Sequence, residues 1–362
     1  MLGKVFIRLA TAGIMALFMQ AVPMAILSEA SASCGSAACF MVTGETGAVQ
    51  QKGALSIGLQ YAYSISKVAP GTSGLVVSVD QENRLLTVNE HRENRTIAET
   101  ETLDINYGLT NSFTLEVLVP HKRLTHTHTI ELGNDNGGAG DYERFTNAGL
   151  GDVRLNGKYH FLPTLRSLVV LGFGVDLPTG DSSAHSNVDP TKLQEPTLQL
   201  GRHSFGLVPS VYQSYEIIPH VLDQFASASY QHTLSGPNSY RFGDTYVLGA
   251  GLNWKILPRL TLTGQFNWRY TVHDEFTGSL TLAPTSPSDP AFGGGPITID
   301  PTVKRRPISP TGSTMTAFSP GITVAIRDRL SAYFYTQIPI AEDFNGGLVP
   351  DVSYLLGMSM SF

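Results

Sequence analysis

Ten polar residues recur at alternate positions of strand-like stretches: Asp104, Glu116, Asp152, Arg154, Lys158, His160, Asp176, Lys255, Gln265 and Arg269. Carboxylates and cations gathered on one side of a wall can pair with each other or line a polar route for a solute. A narrow interior filled by side chains favours a salt-bridged plug, and an open one favours a pathway. His126 and His128 share a face in Thr125-His126-Thr127-His128-Thr129, with His121 close by. Two His at i and i+2 are the beginning of a metal site, yet no third ligand follows, so they read as solvated histidines at a strand end. Cys34 and Cys39 are the two cysteines; in an oxidising compartment they would close a small disulfide loop, or else remain free thiols on a tail. Acyl transfer needs a Ser beside an oriented His. The sequence has no Gly-x-Ser-x-Gly elbow, and His232 and His273 stand without an obvious nucleophile. No Cys-x-x-Cys-His is present for covalent haem. The expectation is therefore no enzyme, no cofactor and no metal.

Period-2 alternation is what would place those polar residues on a common side. In 53–66, Leu55, Ile57, Leu59, Tyr61, Tyr63 and Ile65 alternate with Ala54, Ser56, Gly58, Gln60, Ala62 and Ser64. In 152–161, Val153, Leu155, Tyr159 and Phe161 alternate with Asp152, Arg154, Asn156, Lys158 and His160. A helix would scatter those charges around its circumference, whereas a strand keeps them on one face. Residues 246–256 and 260–272 repeat the pattern, with Leu252, Trp254, Leu262 and Phe266 opposite Asn253, Lys255, Gln265 and Arg269. Charged residues are only 15% of the chain, against about 25% in typical soluble proteins, and the net charge is −6. No basic patch points to nucleic acid.

The N-terminus reads as a secretory leader: Lys4 and Arg8, then an apolar run from Leu9 to Met19, then Ala30-Ser31-Ala32 as a cleavage site. No later apolar run is long enough for a spanning helix. Short joints at 110–112, 162–165, 218–220, 257–259 and 327–329 alternate with longer ones at 67–94, 131–148, 178–196, 235–242, 275–312 and 340–348. That is the layout of short periplasmic turns and longer external loops. Between them lie twelve strands: 53–66, 95–109, 113–130, 149–162, 167–177, 197–216, 221–234, 243–257, 260–274, 313–326, 330–339 and 348–362. The reading is all-β: a transmembrane antiparallel β-barrel of about twelve strands (ten to fourteen). A cleavable signal peptide (1–32) and a periplasmic segment (33–52) precede the barrel (53–362). The last strand alternates Val352, Tyr354, Leu356, Met358, Met360 and Phe362 with small residues, and its terminal Phe362 is a signal for the barrel assembly machinery. The loop 275–312, rich in Pro, Gly, Ser and Thr, is either a lid or an external surface.

Gly149-Leu150-Gly151-Asp152-Val153 running to Lys158-Tyr159, Val175-Asp176-Leu177-Pro178-Thr179-Gly180, and Ser319-Pro320-Gly321-Ile322 followed by Gln337-Ile338-Pro339-Ile340 and Asn345-Gly346-Gly347 occur in this order. Together they resemble the outer-membrane channels linked to the meta-pathway of phenol degradation, over about 53–362. The resemblance implies a location in the bacterial outer membrane, with lipid and a small solute as partners. It also implies passive passage of hydrophobic or aromatic small molecules through the lumen or a lateral route. The alternatives are a barrel that conducts nothing and displays loops, and an outer-membrane lipase.

Overall fold

An extended strand turns successive side chains to opposite faces, so a period-2 sequence can satisfy hydrocarbon on one face and an interior on the other. The computed structural model describes residues 49–362, except for positions within 71–90, 131–140, 186–195, 237–239, 277–310 and 345–347. The leader, Cys34 and Cys39, and most of loop 275–312 lie outside the described residues.

The wall is formed by β1 (Leu55–Val68), β2 (His91–Gly108), β3 (Phe113–Ile130), β4 (Asp141–Leu150), β5 (Val153–Thr164), β6 (Ser167–Leu177) and β7 (Gly206–Ile218). It continues with β8 (Leu222–Thr233), β9 (Thr245–Leu257), β10 (Leu260–Thr271), β11 (Ser313–Arg327), β12 (Leu330–Phe344), β13 (Leu348–Pro350) and β14 (Ser353–Ser361). β4 and β5 follow one another along β3, and β13 and β14 along β1. The result is a closed antiparallel barrel of twelve staves, the number expected. Closure is made by β1, paired with β2 from Leu55↔Tyr107 and with β14 from Ser56↔Ser361.

The faces divide as the alternation requires. Ile57, Leu59 (54% exposed), Leu252, Trp254, Phe266 (58%), Phe334, Leu356 and Met358 point outward, while Ser56, Thr263, Gln265 and Ser353 are buried. Toward the loop-bearing end, Tyr230, Tyr246 and Tyr270 sit opposite one another on β8, β9 and β10, with ring centroids 4.9 and 6.1 Å apart. Such a row is an aromatic girdle at the lipid–water boundary. On β2 and β3 the outward face changes from Leu103 and Leu115 to Glu99, Glu101, His121 and Arg123. The long β2–β3–β4 sheet therefore continues past the apolar band.

Several boundaries differ from the sequence reading, and the strand expected to end at 339 runs on to Phe344. The strand expected at 149–162 begins at Asp141 and is broken at Gly151-Asp152, where the chain turns off the wall. The strand expected at 95–109 begins four residues earlier, at His91. The strand expected at 197–216 begins only at Gly206; residues 196–198 form a 3-10 turn, and Leu198 and Leu200 are buried within the barrel. Their alternation imitates a strand because both are buried, Leu200 against Ala98 and Leu124.

Phe266 lies mid-belt, so Phe266→Arg is expected to destabilise the barrel by about 2–4 kcal/mol. Glu101→Arg, above the belt, should change stability far less. Reversible denaturant unfolding in lipid vesicles measures both, and equal losses would contradict the assigned membrane level.

Candidate functional site

Register places ionic partners opposite each other on the inward face. Arg154 on β5 is across from Asp176 on β6 and grips it with two bonds, Nε to Oδ1 at 2.5 Å and Nη2 to Oδ2 at 3.0 Å. Gln231 donates to the same carboxylate at 2.6 Å. One level nearer the turns, Lys158 donates to Glu116 at 2.5 Å and Asn156 donates to its other oxygen at 2.5 Å. Lys158, Glu116 and Asp176 are each about 5–6% exposed, so these pairs are desolvated. Removing one partner of such a pair costs about 3–5 kcal/mol, because the other charge is left buried. Asp104 accepts from Asn106 at 2.7 Å. Gln265 and Arg269 are buried on β10, His160 is half-buried near the β5–β6 turn, and Lys255 is exposed at the turn end of β9.

Asp152 does something else. Its carboxylate accepts from two backbone amides, Gly180 N–H at 3.0 Å and Arg202 N–H at 2.8 Å. Beside it, the Thr179 hydroxyl donates to Gly151 O at 3.0 Å and accepts from Val153 N–H at 2.9 Å. The glycine–aspartate and Leu-Pro-Thr-Gly stretches are thus two halves of one clamp. It holds both ends of the connection between β6 and β7. Glycine is required there: a Cβ on Gly180 would lie 2.6 Å from Gly201 Cα, and one on Gly201 would lie 2.4 Å from Gly180 O. The clamped part, 196–202, projects into the barrel interior, where Lys122 on β3 donates to Leu200 O at 3.0 Å. Arg202 donates to Thr233 Oγ1 at 2.9 Å and lies over the Phe242 ring, 5.2 Å from its centroid.

Inside the ring is a cavity of about 400 Å³, lined by residues of nine staves and by most of 196–202. That size suits a small organic molecule. Ala98, Leu124 and Leu200 form one apolar wall; Val170 and Tyr212 form another. Arg154, Asp176, Lys122 and Arg202 form a charged one. Tyr212 stacks on Phe225, which is 1% exposed, and Val49 packs against the same group, so the N-terminal segment reaches the lumen from the turn side.

The ring order and the closed wall decide the architecture. A solved outer membrane channel of Pseudomonas putida F1 superposes with a TM-score of 0.57 at 13% identity, over 89% of this chain and all of that one. This chain has the fold of an outer-membrane channel. Looser likenesses are KdgM porin (TM-score 0.40, 8% identity, 84% of this chain and 99% of that one) and the Ralstonia pickettii toluene transporter TbuX (0.38, 10%, 87% and 91%). No family model matches the sequence, and no curated protein matches it.

Two clusters of the channel fold lie toward the loop-bearing end. His126 and His128 are 2% and 7% exposed, which overturns their reading as solvated histidines. A chain of contacts links Thr96 Oγ1 to His126 at 2.8 Å, His126 to His128 at 3.0 Å and His128 to Glu143 at 2.8 Å, with Glu93 3.1 Å from His126. The sheet extension buries them, since Glu93 and Glu143 come from the strands on either side of β3. His232 is tied to Asp244 at 2.9 Å and to Tyr230 at 3.3 Å, with no serine among its described partners. The second cluster centres on Asp274, which accepts from Tyr240 OH and from Gly243 N–H at 2.7 Å and whose own N–H donates to Thr311 at 2.7 Å.

The sequence reading missed Lys122, Arg202, Thr179 and Leu200. Lys122 sat at an inward position of β3, but its partner lies 78 residues away.

Asp152→Ala should free segment 196–202 from its clamp, and bilayer recordings should then show larger or noisier conductance than the parent; unchanged traces would reject the clamp. Burial pushes the Asp274 carboxyl up, outweighing the Tyr240 and Gly243 donors. A raised folded value stabilises fully below the unfolded value and is lost as pH rises through the raised one. Melting temperatures of the parent and Asp274→Asn should therefore diverge in favour of the variant as pH rises above about 4, the ordinary carboxyl value, and a constant difference would refute this.

Proposed function

We propose that this chain is an outer-membrane channel that passes small, hydrophobic or aromatic solutes by passive diffusion. The cavity carries the reading: it has room for one such solute between apolar walls, and half of the charges around it are matched in ion pairs. Paired charges hold little net field, so an uncharged ring can pass them without stripping them. A lateral route is also part of the proposal. β4 pairs along one edge with β3, and among the described residues no strand pairs with its other edge, where Asn187 donates to Arg144 O at 3.0 Å. Residues 1–32 act as the export leader and 33–52 as a periplasmic segment. Lipid surrounds the apolar belt. Phe362, 56% exposed and bonded through its N–H to Leu55 O at 2.8 Å, is the contact offered to the assembly machinery.

A sealed, structural barrel is the second reading, and the dense lumen favours it: Gln265, Gln337 and Ser319 are at most 2% exposed. Uptake of radiolabelled benzamide and of a sugar into proteoliposomes separates the two. Selective entry of the aromatic compound is expected. Absence of flux for every solute would leave the sealed barrel, and phospholipid turnover in the same vesicles would favour a lipase.

A further inference from the structure

Eight ionisable side chains line the lumen cavity, four of each sign: Lys122, Arg154, Lys158 and Arg202, with Asp104, Glu116, Asp152 and Asp176. At the level of direct contact they are unequally spent. Arg154 holds Asp176 and Lys158 holds Glu116. Asp152 is spent on backbone amides, and Asp104 takes an amide from Asn106. That leaves two cations with no carboxylate at ion-pair distance among the described residues. The Lys122 ammonium has three protons and one partner, Leu200 O. The Arg202 guanidinium has five N–H groups and one hydrogen-bond partner, Thr233 Oγ1, with its face on Phe242.

Lys122 and Arg202 are half-buried; Asp152 is among the charges near the first, and Asp176, Asp274 and Asp152 among those near the second, so an anion entering the cavity would add the direct contact that neither cation has. Segment 196–202 carries Arg202 inward and offers Leu200 O to Lys122, and Gly151 clears the way: a Cβ there would meet Lys122 Cε at 2.7 Å. Against the same cavity stand the Ala98–Leu124–Leu200 wall and the Val170–Tyr212 wall.

We propose that the cavity is a binding site for an amphipathic organic acid, whose carboxylate sits between Lys122 and Arg202 and whose apolar body lies on those walls. The proposal rests on the channel reading and narrows its substrate class. A monoanion fits better than a phosphate dianion, because Asp152 lies against Arg202's own amide and repels added negative charge. Charge-assisted hydrogen bonds of this kind are strong enough to select an acid over its neutral analogue by about tenfold or more.

The test is equilibrium binding of benzoate, its near-isosteric neutral partner benzamide, and phenyl phosphate to the purified full chain in detergent micelles. Benzoate should bind at least about tenfold more tightly than benzamide, and above phenyl phosphate. In Lys122→Gln and Arg202→Gln, each checked for folding by heat-modifiable migration, the benzoate-to-benzamide ratio should fall toward unity. Equal binding of the two in the parent chain, or a ratio unchanged in both variants, overturns the site; tighter phenyl phosphate binding overturns the carboxylate assignment. Binding in micelles does not depend on flux. A benzoate preference without vesicle uptake would uphold the site and sink the channel, and uptake without preference would do the reverse.

Discussion

Hydrocarbon offers no partner to a peptide group, so every N–H and C=O at membrane depth must be paired within the wall. That constraint explains why β1 is bonded on both edges, to β2 and β14, and why the last residue still donates its N–H to Leu55 O. It also explains where the wall is permitted to fail. β6 ends at Leu177 opposite Val153, and above that level β4 has a strand on only one side among the described residues. The neighbouring outward face has by then become Glu99, Glu101, His121 and Arg123. Irregular backbone starts where hydrocarbon stops, and the Asp152–Thr179 clamp takes over the unpaired amides there.

Closing twelve strands makes a narrow interior, and side chains must then fill it. Large rings are accommodated by facing glycines: Tyr335 covers Gly321, Tyr333 covers Gly357 and Phe225 covers Gly251. Segment 196–202 adds further bulk from the loop side, and Val49 adds it from the turn side. The cavity is what remains between these fillings. Its mixed lining follows from its parentage, with strand positions contributing matched charges and the inserted segment contributing Leu200 and Arg202.

Strand order and facing were legible because lipid imposes one rule on every stave, and short turns such as 258–259 mark its ends. The interior was far less legible, since alternation says which side a residue faces and nothing about what it meets. Leu198 and Leu200 alternate like lipid-facing residues, yet both are buried, and the contacts of Leu200 come from β2 and β3. His126 and His128 look like a polar strand end until Glu93 and Glu143 close around them from the neighbouring strands on either side. Asp152 was read as a lumen charge from its neighbours; its bonds are to amides 28 and 50 residues on.

The passage proposed above must be cheap somewhere. Within the apolar belt the wall is the wrong place to look, because each stave there is held by backbone ladders on both sides, and opening one in lipid exposes all of its peptide groups at once. The turn-side filling is held differently. Residues 50–53 rest on a few local bonds: Gln50 N–H to Thr114 Oγ1 at 2.9 Å, Lys52 N–H to Asn111 Oδ1 at 3.2 Å and Gly53 N–H to Gly108 O at 2.8 Å. These lie at the aqueous end, where water can replace each partner as it is released. Under the proposed channel function, motions that open the cavity at the turn side therefore fall on the N-terminal segment and not on the barrel. The clamp at Gly151-Asp152 plays the corresponding part at the other end, with stronger bonds because a carboxylate holds it.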